Sequence, residues 1–147
     1  MAENRERSDP GTGKPGILSS RYWDSAYSSI AATRAAGGLP GVIVPAYPLI
    51  ANMILARSQY HAFNCLLRYS DANQTGGNAL DLGCGYGRWC VRLASAGYMP
   101  IGMDISWTAV DGARTAEQGS LFAVGSMVAL PFKGGSFGMV TAVTVLQ

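Results

Sequence analysis

The chain has 147 residues, 48% of them apolar and 14% charged, and a formal net charge of +2. That length gives room for one modest domain, and so small a charge, without clustered Lys and Arg, argues against electrostatic nucleic-acid binding. The single histidine, His61, argues against a His-based metal site or catalytic triad confined to this chain.

Residues 1–16 are rich in Pro, Gly and charges of both signs, with no apolar segment that could serve as a signal peptide. They read as a disordered tail. From Ser20 to about Ala36 the pattern is helical: Trp23, Tyr27, Ile30 and Ala31 form a stripe, and Gly37-Gly38 stops it. The run Leu39–Ala56 lacks charge and approaches the length of a membrane span, but Pro40, Pro45 and Pro48 would break a spanning helix. It reads instead as a buried loop over 38–47, then a helix from Pro48 to about Tyr69 with Met53, Ala56, Tyr60, Phe63 and Leu67 on its apolar stripe. Asp71–Asn78 is a polar connector. Cys65, Cys84 and Cys90 show no C-x-x-C spacing and read as reduced thiols of a cytoplasmic protein.

From residue 79 onward strand and helix alternate. The order is strand 79–82, helix Tyr86–Ala96, strand 99–103, helix Trp107–Gln118, strand 121–124 and strand 137–145, with Gly97 and Gly119 expected as C′ glycines. Such alternation predicts an α/β fold with a parallel sheet and right-handed crossovers.

The most informative segment is 79–87, Ala-Leu-Asp-Leu-Gly-Cys-Gly-Tyr-Gly. A short apolar strand carrying Asp81 runs into glycines at alternate positions, Gly83, Gly85 and Gly87, and then into a helix. Glycine lets the backbone pass close to a ligand, and the helix start offers unpaired N–H groups. In the dinucleotide fingerprint G-x-G-x-x-G the third glycine would fall at Arg88; here it comes one place early. The pattern D-x-G-x-G-x-G resembles motif I of the class I S-adenosylmethionine-dependent methyltransferases, in particular the type 11-like group. Met99–Asp104, Leu121–Ser126 and Ser136–Gln147 resemble the next three strands of that family, so the resemblance covers 79–147.

The resemblance implies a Rossmann-like sheet of order 3-2-1-4 preceded by a helical cap region over 17–78. It also implies S-adenosylmethionine as cofactor. Gly83, Cys84, Gly85 and Gly87 would line the cofactor's methionine half, with Asp81 reaching its ammonium directly or through water. Asp104, with Ile105 beside it, would hold the ribose. Ser126 and the Met127 backbone would receive the adenine, and Val143 would stand at the same rim. Tyr22 is a candidate for the cofactor carboxylate. The family often has Asp where this chain has Ser126 and Gly138; serine still accepts a hydrogen bond. Plainer readings stand beside these: Asp81 as a brace for the turn, Asp104 as a helix N-cap, and the Trp23/Tyr27 stripe as core rather than as a cofactor lid.

The chain carries Ala142-Val143-Thr144-Val145-Leu146-Gln147 where enzymes acting on amide-like nitrogens have Asn/Asp-Pro-Pro-aromatic. This favours a small-molecule methyl acceptor; the catalytic base is not assigned. The family fold continues past Gln147, so the expectation is a C-terminally truncated half domain whose fourth strand is exposed and self-associates. Alternatives are a non-catalytic subunit completed by another chain, or an NAD-dependent oxidoreductase.

Overall fold

A computed structural model describes residues 19–35, 48–69, 77–116 and 119–143. The expected disordered tail, the loop 38–47 and most of the connector 71–78 lie outside the described residues. The elements are α1 (Ser20–Ala35), α2 (Leu49–Tyr69), β1 (Asn78–Leu82), α3 (Arg88–Ser95), β2 (Met99–Asp104), α4 (Trp107–Ala116), β3 (Leu121–Val124) and β4 (Met139–Ala142).

The four strands form one parallel sheet in the order β3-β2-β1-β4, as the sequence implies. Asp81 lies opposite Gly102 on one side and Thr141 on the other, and Gly102 lies opposite Phe122. Side chains alternate across a strand, so Ala79, Asp81, Gly102, Phe122 and Thr141 share a face. Right-handed crossovers bring α3 and α4 onto that face. Two apolar clusters result: Cys84, Cys90, Val110, Ala113 and Phe122 in one, and Ala79, Trp89, Leu93, Tyr98 and Phe63 in the other. Phe63 belongs to α2, and its ring stacks on Trp89 with centroids 4.4 Å apart. Burying one large apolar side chain contributes about 1.5–3 kcal/mol, which makes this stack the main apolar tie between α2 and the sheet unit. On the opposite face Leu80 and Met103 are buried, while Leu121 and Val140 are exposed.

Local geometry shifts several expected boundaries. The helix α3 starts at Arg88, not Tyr86, because Gly83, Gly85 and Gly87 hold φ values of 64°, 53° and 79°; a left-handed residue cannot continue into a right-handed helix. The strand β4 is shorter than 137–145. Its pairing starts at Met139 opposite Ala79 and ends at Ala142 opposite Leu82, where β1 itself ends, and residues 144–147 lie outside the description. Gly97 closes α3 with φ 90°, while the residues just before Gly119 lie outside the described residues.

The apolar stripe expected on α2 is only partly buried. Phe63 is buried and Leu67 packs beside it, but Met53 is 52% and Tyr60 47% exposed. The inward face of α2 instead carries polar groups: the Gln59 side chain accepts from Arg88, and Asn64 accepts from Arg92. The helix docks through these hydrogen bonds as much as through apolar contact. Ile50 and Ile54 are also exposed, so the second half of the uncharged run Leu39–Ala56 is not a buried segment. Among the described residues no helix is long and apolar enough to cross a membrane.

Candidate cofactor site

The carboxyl ends of the strands are tied together by backbone. Gly83 and Cys84 both donate their N–H groups to Met103 O, at 2.7 and 3.1 Å, and Gly87 N–H closes the turn onto Cys84 O at 2.9 Å. Gly125 N–H, just beyond β3, donates to Asp104 O at 2.9 Å. The glycine turn after β1 therefore sits against the tip of β2, which in turn holds the exit of β3.

The Asp104 carboxylate completes this arrangement. One oxygen accepts from Gly85 N–H at 2.9 Å, the other from Ser106 N–H at 2.9 Å. Asp104 is not the cap of α4; Ser106 is, its hydroxyl accepting from Ala109 N–H at 3.2 Å. Burial raises the pKa of Asp104 despite the N–H groups that face it. Each carboxylate oxygen has a second lone pair, so further donors such as hydroxyl groups can be received there.

Asp81 is fully buried in the middle of β1, beneath the turn. Thr141 Oγ1 donates to one oxygen at 2.8 Å and Cys90 Sγ to the other at 3.8 Å. Burial pushes its pKa up to about 7. Burial thus favours its protonated form, and a cation placed beside it would favour the carboxylate. The Cys84 thiol is buried and its pKa is pushed up, first by burial and then by the Asp104 charge. A thiol so held neutral is a small packing group, not a nucleophile.

Of the residues anticipated from sequence, Asp81, Gly83, Cys84, Gly85, Gly87, Asp104 and Ile105 gather at this turn. Ser126 and Met127 follow β3 and are joined to it through Gly125. Val143 follows β4, but its side chain packs on the Trp89 cluster. Tyr22 is partly exposed and packs edge-on against Trp23.

Two residues of α1 reach this site, Tyr27 from the stripe read as core or cofactor lid, and Asp24, which the sequence reading did not single out. The Tyr27 hydroxyl lies 2.8 Å from where a Cβ on Gly85 would stand. Its stripe position had suggested core, and helical periodicity alone cannot tell a core face from one laid over a turn. Asp24 accepts from Ser106 Oγ at 2.6 Å and from Thr108 N–H at 3.1 Å. No local pattern marks it, since its partners lie more than eighty positions away. The Arg88 guanidinium interacts electrostatically with both Asp81 and Tyr27, and burial lowers its pKa.

A family model described as a methyltransferase domain matches residues 79–147. Residues 79–147, just under half of the chain, are thus similar to a methyltransferase domain. Solved structures share its fold. Magnesium protoporphyrin IX methyltransferase from Synechocystis PCC 6803, solved with bound S-adenosylmethionine, superposes with TM-score 0.65 at 20% identity, covering 90% of this chain and 65% of that one. PH0226 protein from Pyrococcus horikoshii OT3 superposes with TM-score 0.53 at 26% identity, covering 67% and 47%. YcgJ protein from Bacillus subtilis gives TM-score 0.52 at 23% identity, covering 56% and 37%. The chain thus spans less than two thirds of each of these proteins. No curated protein sequence matches the chain. The glycine turn of the methyltransferase-like region occupies the place where strand order reverses between β1 and β4, where ligands bind in open α/β sheets.

Proposed function

We propose that this chain holds S-adenosylmethionine at the Gly83–Gly87 turn, and that the protein it represents methylates a small-molecule acceptor. The observation that carries this reading is the Asp104 carboxylate buried against Gly85 N–H, with Asp81 beneath the same turn. Two buried acids with raised pKa values favour a ligand rich in donors and cationic at one end. The ammonium and ribose hydroxyls of the cofactor meet that description, and the left-handed glycines leave the backbone accessible to it.

S-adenosylmethionine supplies a methyl group on a sulfonium, displaced in line by a nucleophile. The residues of the chain have binding and alignment to perform. Asp104 with Ile105 would hold the ribose, Asp81 would face the ammonium, and Ser126 with Met127 would receive the adenine. Gly83, Cys84, Gly85 and Gly87 would form the floor, with Val143 bordering it from β4. The exclusion of water by a covering helix would favour transfer over solvolysis. A catalytic base is required only for an acceptor that must lose a proton early. The end of β4 lacks an amide-nitrogen motif, which supports a metabolite as acceptor. The free thiols of Cys65, Cys84 and Cys90 support a reducing, cytoplasmic setting.

Isothermal titration with S-adenosylhomocysteine and, separately, NAD tests the cofactor assignment. Heat of binding with S-adenosylhomocysteine alone is expected. Tight binding of NAD with no response to S-adenosylhomocysteine would replace the assignment with an oxidoreductase.

A further inference from the structure

A second concave site lies away from the glycine turn, between the C-terminal ends of α2 and α3. Asn64, Leu67 and Arg68 of α2, with Arg92, Ser95 and Ala96 at the end of α3, line a groove of about 360 Å³. The helix α3 begins at Arg88, directly after the turn, so at about 1.5 Å per residue its far end stands roughly 10 Å from the cofactor site. The two helices carry Arg57, Arg68, Arg88 and Arg92 and no Asp or Glu, and no carboxylate lines the groove among the described residues. Arg92 is held against α2: its guanidinium donates to Asn64 Oδ1 and lies over the Tyr60 ring, 4.7 Å from the centroid. Its Nε is buried and has no hydrogen-bond partner among the described residues. A buried donor left unmet costs free energy, the more so on a charged group. Arg68 is exposed at the rim. Both arginines stand in the last turn of their helices, where a cation suits the helix dipole. The dipole accounts for their charge but not for the unmet Nε, and each helix end sets only about half a negative charge against a full positive one.

We propose that this groove is an anion site for a small phosphate monoester, with the phosphate between Arg68 and Arg92 and the organic body on Leu67 and Ala96. The inference goes beyond the cofactor reading and does not depend on it. A phosphate monoester carries about −1.5 to −2 charges at pH 7, which balances two guanidinium groups, whereas a carboxylate leaves one unmatched. Guanidinium donors hold phosphate oxygens through paired, charge-assisted hydrogen bonds. A phosphate oxygen supplies the acceptor that Arg92 Nε lacks, once the guanidinium turns toward the groove. Asn64 spends its oxygen on Arg92, which leaves its NH2 group as a further donor on the same wall. The Ser95 hydroxyl is committed to Val91 O at 2.8 Å and shapes the rim. Leu67 and Ala96 supply the apolar surface that small-molecule sites combine with a few polar groups. The groove has room for more than a phosphate alone, so an organic ester fits it better than the inorganic ion.

An amide NMR titration of the 147-residue chain with phenyl phosphate tests the proposal. Saturable shifts are expected at Leu67, Arg68, Arg92, Ser95 and Ala96, with Gly83–Gly87 unmoved. Benzoate, which keeps the ring and replaces the phosphate with a carboxylate, should bind at least about fivefold more weakly. Inorganic phosphate, which lacks the apolar body, should also bind more weakly. Arg68→Gln removes an exposed guanidinium and should weaken phenyl phosphate about tenfold. Arg92→Lys keeps the charge without the planar fork and should weaken it by a similar factor. Arg57→Gln removes the same charge from α2 outside the groove and should change the affinity by less than about twofold. Absence of saturable shifts below about 10 mM would overturn the site. Equal losses in Arg57→Gln and Arg68→Gln would also overturn it, since diffuse charge would then explain the binding. Benzoate binding as tightly as phenyl phosphate would overturn the phosphate assignment. Shifts confined to the glycine turn would put the ester in the cofactor site and overturn the groove. Titration with S-adenosylhomocysteine decides the cofactor reading separately, because it reports on a different set of residues.

Discussion

The Asp104 carboxylate and the Gly85 amide, 2.9 Å apart, join the tip of the second strand to the middle of the glycine turn. The same carboxylate takes Ser106 N–H at the approach to α4, so one buried acid sets the position of two loops. Asp104→Ala should strip both amides of their partner. Hydrogen bonds to a charged group contribute about 1.5–3 kcal/mol each, and a loss of roughly 2–4 kcal/mol is expected in urea unfolding. Affinity for S-adenosylhomocysteine should fall by at least about tenfold. An unchanged dissociation constant in a folded variant would leave Asp104 a purely structural residue.

Gly85→Val should abolish cofactor binding and leave the sheet folded. The φ of 53° is strained for any side chain, and a Cβ would stand 2.8 Å from the Tyr27 hydroxyl. Circular dichroism checks the fold and titration checks the binding.

Gly102→Ala should fail differently, through the core. A Cβ at Gly102 would come within 2.6 Å of Phe122 Cδ1 and 2.9 Å of Cys90 Sγ. Overpacking of that kind costs about 1–3 kcal/mol. The expected outcome is a lower unfolding midpoint with residual binding in the folded fraction.

Asp81 gives the pH prediction. Its pKa is raised by burial from the ordinary 3.8 to about 7, so the folded state binds this proton more tightly than the unfolded chain. Its contribution to stability is fully present below about pH 4 and is lost as pH rises through about 7. Asp81→Asn removes the titration. Wild type should therefore lose stability relative to Asp81→Asn across that window, with parallel curves above it. Urea midpoints at several pH values measure this, and a constant difference would mean that Asp81 keeps its ordinary pKa.

The strand β4 has β1 as its one neighbour among the described residues, and Val140 on it is 56% exposed. Its Met-Val-Thr-Ala sequence holds no charge and no proline. Unpaired strand edges of this composition recruit other strands. The 147-residue chain should sediment faster than a monomer, and Val140→Lys should return it toward monomer. A monomeric wild-type chain at tens of micromolar would refute the edge as a contact.

The glycine spacing, the acid at Asp104 and the alternation of strand and helix were legible because each depends on local rules: backbone freedom at glycine, helical and strand periodicity, and short connections. The parallel order β3-β2-β1-β4 follows from those connections together with the family resemblance. What lay beyond reach was set by partners distant in the chain. The inward face of α2 is polar because Arg88 and Arg92 meet it there, so its apolar periodicity misplaced Met53 and Tyr60. The length of β4 was limited by β1, its register partner, and not by its own run of β-branched residues. Asp24 and Tyr27 owe their place at the site to the docking of α1 on α4, a contact that joins positions about eighty residues apart. Local sequence determined the cradle because its chemistry is contained within one turn; tertiary packing decided what stands over it, because that depends on which faces the helices bury.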